Sequence, residues 1–232
     1  MRDWFNCCAY GKGNHDLKGL IVTFLTLAQL EKLNNGTFQY IMTMENFYCS
    51  MKLVHCLILS RVFTNDRDSI SFKIFGCDIS FSLEHFHIMC DLRITTHNIE
   101  KLIKRESKIL KHYFRKSKGV TLKDIREYMI RNQIKKDDVN FKYVCESDED
   151  TVKLMKILVV ESILFGRKNE LTVLEEYAAI VEDDEACLNY LWGNASYEKL
   201  ITSMKYALDN YDKNNSTEYT LGGFPYPLCV WF

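Results

Sequence analysis

Apolar residues recur at helical spacing along most of this chain. Tyr197, Leu200, Ile201, Met204 and Leu208 fall at i, i+3, i+4, i+7 and i+11, an amphipathic helix. Thr151 to Phe165 is apolar around most of its circumference and predicts the central, most buried helix. Val173, Leu174, Tyr177, Ala178 and Val181 predict another between them. Upstream, a helix is expected from Gly19 to about Leu33, stopped by Asn34-Asn35-Gly36. Residues 38–63 carry Phe47, Met51, Val54, Leu57 and Ile58 at the same spacing, ending at Arg61. Ile99, Leu102, Ile103, Leu110, Tyr113 and Phe114 trace one face of a helix that ends near Gly119.

Two features interrupt this helical pattern. Ser69 to Ile74 alternates polar and apolar residues as a half-buried strand does. Gly76-Cys77-Asp78 is expected to turn the chain, with Ile79 and Phe81 on a short return strand. Ser82 then reads as the N-cap of a helix turning Leu83, Phe86 and Met89 inward. Thr121 and Asp124 have capping-box spacing ahead of Leu122, Ile125 and Met129. The fold class is therefore α+β, predominantly α-helical, with one small β-hairpin near residues 69–81. Residues 1–38 comprise an irregular lead-in and the first helix. Residues 39–232 form the main domain, with a break between two lobes expected in the polar stretch 132–150.

Composition narrows the class. With 10 Gly and 2 Pro in 232 residues, a sandwich or barrel would lack turn formers. Nine cysteines, an odd number without any CxxC pair, fit reduced thiols better than a disulfide framework. Gly19 to Leu30 is uncharged but far short of the roughly 20 residues a bilayer span requires. An intracellular setting, the nucleus included, without membrane partners is expected.

The formal charge of −1 conceals an asymmetry. Lys101 to Lys136 holds 13 Lys/Arg against 3 Asp/Glu, a local charge of +10. Lys104, Arg105, Lys108, Lys111, Arg115, Lys116 and Lys118 would be the nucleic-acid contacts if this stripe neutralises phosphates. The competing reading is a solvated face docking on the acidic 146–185 region. His85, His87 and Cys90 cannot converge on a metal, because position 85 points about 200° from 87 on a helix. Glu182-Asp183-Asp184-Glu185 lacks EF-hand spacing and reads as a solvated loop. No catalytic motif stands out, so no catalytic, cofactor or metal residue and no small-molecule substrate is predicted.

Two signatures near the C-terminus resemble a known family. Tyr190-Leu191-Trp192-Gly193-Asn194 through Leu200 is similar to the WG motif of DUF1985, a plant domain of unknown function. Gly223-Phe224-Pro225-x-x-Leu228-x-Val230-Trp231 resembles its GFP-x-x-L-x-x-W ending, and Ile70-x-Phe72-x-Ile74-x-Gly76 its N-terminal part. The resemblance covers about residues 39–232. Leu191 stands where the family usually has Pro, Asn194 where it has Arg, and Asp91 where it has a turn Gly. The family pattern continues past the final Trp, so this chain reads as truncated at its C-terminus.

Trp192, Gly193, Gly223, Phe224, Pro225 and Trp231 are expected to be structural anchors, with Phe224-Pro225 and Trp231 pinning a strand-like C-terminal tail onto the core. The resemblance implies a plant mobile-element-derived protein, in a family often found ahead of a Ulp-type (SUMO-protease-like) cysteine peptidase domain. The His-Trp pair such a peptidase needs is missing from this sequence. The expectation is a non-catalytic interaction module with an unknown protein partner. The alternatives are a nucleic-acid-binding accessory domain and the N-terminal part of a peptidase protein.

Overall fold

The computed structural model describes residues 8–11, 19, 21, 23–44, 49–62, 64, 69–96, 105–115, 119–132, 145–214 and 218–232. In chain order these form β1 (Cys8–Gly11), α1 (Leu27–Asn34), α2 (Gln39–Thr43), α3 (Met51–Leu59), β2 (Arg61–Val62), β3 (Ser69–Ile74) and β4 (Cys77–Ser82). Then follow α4 (Leu83–Cys90), α5 (Lys108–Tyr113), α6 (Leu122–Asn132), α7 (Asp148–Val159) and a π-helical turn (Val160–Leu164). The chain closes with α8 (Glu175–Glu182), α9 (Asp184–Asn189), α10 (Trp192–Asn214), β5 (Glu218–Leu221) and α11 (Tyr226–Trp231).

The Thr151–Phe165 run is buried apart from half-buried Lys153. Helices α1, α6 and α8 pack on α7, while α10 packs on α3, α4 and β5. Ser147 caps α7 by accepting the Asp150 N–H at 3.1 Å. Asp148, Glu149 and Asp150 fill its first turn, where the helix dipole favours acids. Side chains from both sides of 132–150 enter one buried cluster: Ile125 and Met129 before it, Val152 and Met155 after it. No helix among the described residues is long and apolar enough to cross a membrane.

The α+β, mainly helical class holds, and several local signals act where they stand. Ser82 caps α4 as expected. Thr121 and Asp124 exchange their capping bonds at 2.9 and 3.1 Å. Leu122, Ile125 and Met129 then point into the core.

Other elements differ from expectation. The 19–33 helix breaks at Leu25, because Thr26 caps α1 in a box with Gln29. The 38–63 stretch holds two separate helices and a strand, with Phe47 outside the described residues. Arg61–Val62 adds a third strand, pairing antiparallel with Phe72 and Ser71. The hairpin turns at Phe75–Gly76, one residue early, with φ of 50° and 82°. Two left-handed residues in a row suit a two-residue hairpin. Strand β3 is covered on both faces over Ser69–Phe72, and Ser71 meets Ser80 hydroxyl to hydroxyl at 2.8 Å. In the lead-in, Cys8–Gly11 forms a parallel pair with Glu218–Leu221. The helix predicted over 99–114 is observed as α5 alone, with 97–104 outside the described residues.

The π turn places Glu161 inside the protein, 1% exposed. Its carboxylate accepts the Leu174 N–H at 3.0 Å. Arg167 Nε lies 2.7 Å from the other oxygen but off the N–H axis, a contact of charge and not a directed hydrogen bond. Ion pairing alone would hold this acid low; burial outweighs it and pushes the carboxyl up to about 7. A folded-state value above the ordinary 4.5 means the group stabilises most below about pH 4.5, losing this as pH rises through about 7. The span corresponds to roughly 3 kcal/mol. Urea denaturation at about pH 5 and about pH 8 should show Glu161→Gln losing less stability than the parent chain on going alkaline. Parallel pH dependence in the two proteins would refute this.

Candidate functional site

The two signatures converge on the interior. Trp192 opens α10 fully buried, and its indole N–H donates to the Cys187 carbonyl at 2.9 Å. Its ring packs edge-on to Tyr190 at 4.5 Å and Phe38 at 5.6 Å, and tilted to Tyr177 at 6.0 Å. Gly193 follows because the 92–94 backbone lies against it. A Cβ there would fall 2.4 Å from the Ile94 side chain and 2.8 Å from the Arg93 carbonyl oxygen. The Gly193 N–H donates to that same oxygen at 3.0 Å. Asn194 extends the seam: its amide gives a bond to Thr95 O at 2.8 Å and takes one from Thr95 N at 2.9 Å.

The second signature locks onto the same helix. Gly223, at φ 83°, sits where a Cβ would be 2.5 Å from the Leu200 nitrogen. Phe224 is buried, and Pro225 is the buried N-cap residue of α11. Phe224 stacks on Tyr226 at 5.8 Å. The last residues form helix α11, where a strand-like tail was expected; this carries half-buried Trp231 edge-on to Phe81 at 5.1 Å. Asp91 occupies the family's glycine position with φ 53°, so the left-handed turn survives without glycine.

The basic stripe meets acids on its own protein. Ser107 caps α5, and the Glu182 carboxylate holds that helix start. It accepts the Ser107 hydroxyl, the Lys108 N–H at 3.0 Å and the Ile109 N–H at 3.0 Å. Tyr113 donates to Asp150 at 2.7 Å; burial first, and this bond second, push its phenol above the ordinary range. His112 lies 3.1 Å from Glu146, and Lys111 pairs with Glu106. Between these groups opens a cleft of about 800 Å³, its wall mixing Arg105, Lys108 and Lys153 with Glu146, Asp150 and Asp183. Arg105, Lys108, Lys111 and Arg115 are exposed; Lys104, Lys116 and Lys118 lie outside the described residues.

The four-acid run is used piecewise. Glu182 caps α5, Asp183 caps α9 through the Ala186 N–H at 3.0 Å, and Asp184 takes the buried Lys156 ammonium at 2.8 Å. That hydrogen bond holds the Asp184 carboxyl below its usual range. His85, His87 and Cys90 also bond locally, to Ser82, Leu92 O and Phe86 O. Among the described residues no group of three His, Cys, Asp or Glu side chains is placed to hold a metal. Glu182 has no signal in the sequence, since its partner lies 75 residues away; Ser107, an N-cap residue type, was also missed, because the apolar spacing carried a single predicted helix across it. Glu182→Ala should cost about 1–3 kcal/mol in urea denaturation, with Glu182→Gln between it and the parent. A loss below about 0.5 kcal/mol for the alanine variant would contradict the assigned cap.

No curated protein and no solved structure is significantly similar to this chain. The profile of a domain of unknown function, DUF1985, matches residues 58–203, more than half of the sequence and spanning the first signature. This chain belongs to the DUF1985 family.

Proposed function

We propose that this protein is a non-catalytic interaction module of a plant mobile-element-derived protein, acting in the nucleus through a protein partner. The observation that carries the reading is where the family signature is spent. Trp192, Gly193 and Gly223 serve packing, and the indole N–H is satisfied inside the protein. Polar groups of both signs face solvent together in the α5–α7–α8 cleft. Such a surface suits a polar protein segment of mixed charge better than a uniformly anionic polymer.

The three buried thiols, Cys90, Cys145 and Cys187, support a non-catalytic role. Burial pushes Cys90 up to about 12 and Cys145 up to about 11, which makes them poor nucleophiles at neutral pH. Cys187 is raised by burial too. A peptidase domain, which the family resemblance suggests as a neighbour, would supply its own cysteine and histidine.

A second reading rests on exposed Arg105, Lys108 and Arg115, which could contact phosphates. Crosslinking mass spectrometry of the full chain in plant cells separates the two. Lys108 and Lys153 should crosslink to a protein, and Lys108→Glu/Lys153→Glu should lose that partner with its melting temperature unchanged. Covalent labelling by a ubiquitin or SUMO vinyl-sulfone probe would overturn the proposal. So would DNA or RNA retention that falls steeply with salt and is abolished by the same variant.

A further inference from the structure

Two cysteines 180 residues apart meet at the edge of the core. Cys49 lies just before Ser50, the N-cap of α3, and Cys229 lies within α11. Their sulfur atoms are 2.9 Å apart, inside ordinary sulfur contact distance. Closing by about 0.9 Å would bring them to bonding distance. Both residues are half-buried and both are free thiols. They are not held deep in the interior as Cys90, Cys145 and Cys187 are.

We infer that Cys49 and Cys229 are a reversible redox site, oxidised by peroxide to a disulfide that staples α11 to the segment leading into α3. The two sulfurs are not equivalent. Cys49 Sγ also lies 3.9 Å from the Met51 sulfur. Hydrogen bonding from Cys49, with help from the Ser50 backbone N–H, favours the thiolate at Cys229. Cys49 correspondingly keeps its proton, its pKa raised by the same contact and by burial. The Ser50 N–H bonded to Cys229 makes Cys229 the attacking sulfur, with Cys49 the resolving one.

The chemistry balances. The Cys229 thiolate attacks one peroxide oxygen, the O–O bond breaks, and water leaves after protonation, giving a sulfenic acid. Cys49 then attacks the sulfenic sulfur, the S–O bond breaks, and a second water leaves. Two thiols are oxidised to one disulfide while one hydrogen peroxide is reduced to two waters. A dithiol reductant reverses the bond by exchange.

The consequence follows from what α11 carries. Trp231, two residues beyond Cys229, packs on Phe81 and His85. Oxidation would fix the C-terminal signature against α3 and β4; reduction would leave it held by packing and the Gly223 N–H bond to Phe165 O. Because the site is far in sequence from α5 and Glu182, it stands or falls separately from the charged cleft.

The full reduced chain, treated with hydrogen peroxide, should give a non-reducing peptide map in which the Cys49 and Cys229 peptides are joined. Cys56 and Cys77, both exposed, serve as internal controls and should remain alkylatable at that dose. Dithiothreitol should release the joined peptides, and the oxidised protein should melt several degrees higher than the reduced one. Cys49→Ser and Cys229→Ser should each abolish the shift. Cys49→Ser should still trap a sulfenic acid at Cys229 with dimedone, a readout available even if Cys229→Ser folds poorly. Free Cys49 and Cys229 after Cys56 and Cys77 have oxidised would overturn the inference, as would an equal melting rise in the Cys49→Ser variant.

Discussion

Everything around α10 depends on one close approach, the seating of its first turn against residues 92–95. Trp192 needs a buried slot and a carbonyl for its indole N–H. It finds both only if the chain beside it comes near enough to leave no room for a side chain at position 193. The Gly193 N–H and the Asn194 amide then close three bonds to Arg93 and Thr95. Phe38, Phe165, Tyr177 and Tyr190 reach the same indole from four separate parts of the chain. This contact fixes where α10 begins, and α10 then offers Leu200 to Gly223 and Tyr197 to Phe81.

Charge is handled by the same economy. Acids that look solvated along the sequence close helix ends at long range, Glu182 on α5 being the clearest case. Asp148 takes the Gln29 side chain at 2.6 Å, tying the capping box of α1 to the first turn of α7. Lys156 is buried on α7 and reaches outward to an exposed carboxylate. The basic stripe is thereby partly neutralised by its own protein, and the cleft beside it carries both signs of charge.

What was legible in the sequence was local. Ser82 and Thr121 declare their helices because a cap acts within three residues. The Thr151–Phe165 run is apolar enough to be central wherever it lies. Long-range pairing left no comparable trace: the β1–β5 ladder, Glu182 beneath α5, and the Cys49–Cys229 contact join residues remote in the chain. The tail misled because Val230, Trp231 and Phe232 suit a strand, yet Pro225 at the N-cap and Pro227 in the first turn also suit a helix start. Glu161 was hidden because a π turn shifts which residues face inward, and no periodicity marks that shift.

Trp192, Gly193 and Gly223 serve packing around α10, and Gly193→Ala is the sharpest test of that role. The added methyl has backbone oxygens and a branched side chain in its way. Urea denaturation should show a stability loss of about 2–3 kcal/mol with the slope of the transition kept. A variant as stable as the parent would contradict a packing role for Gly193.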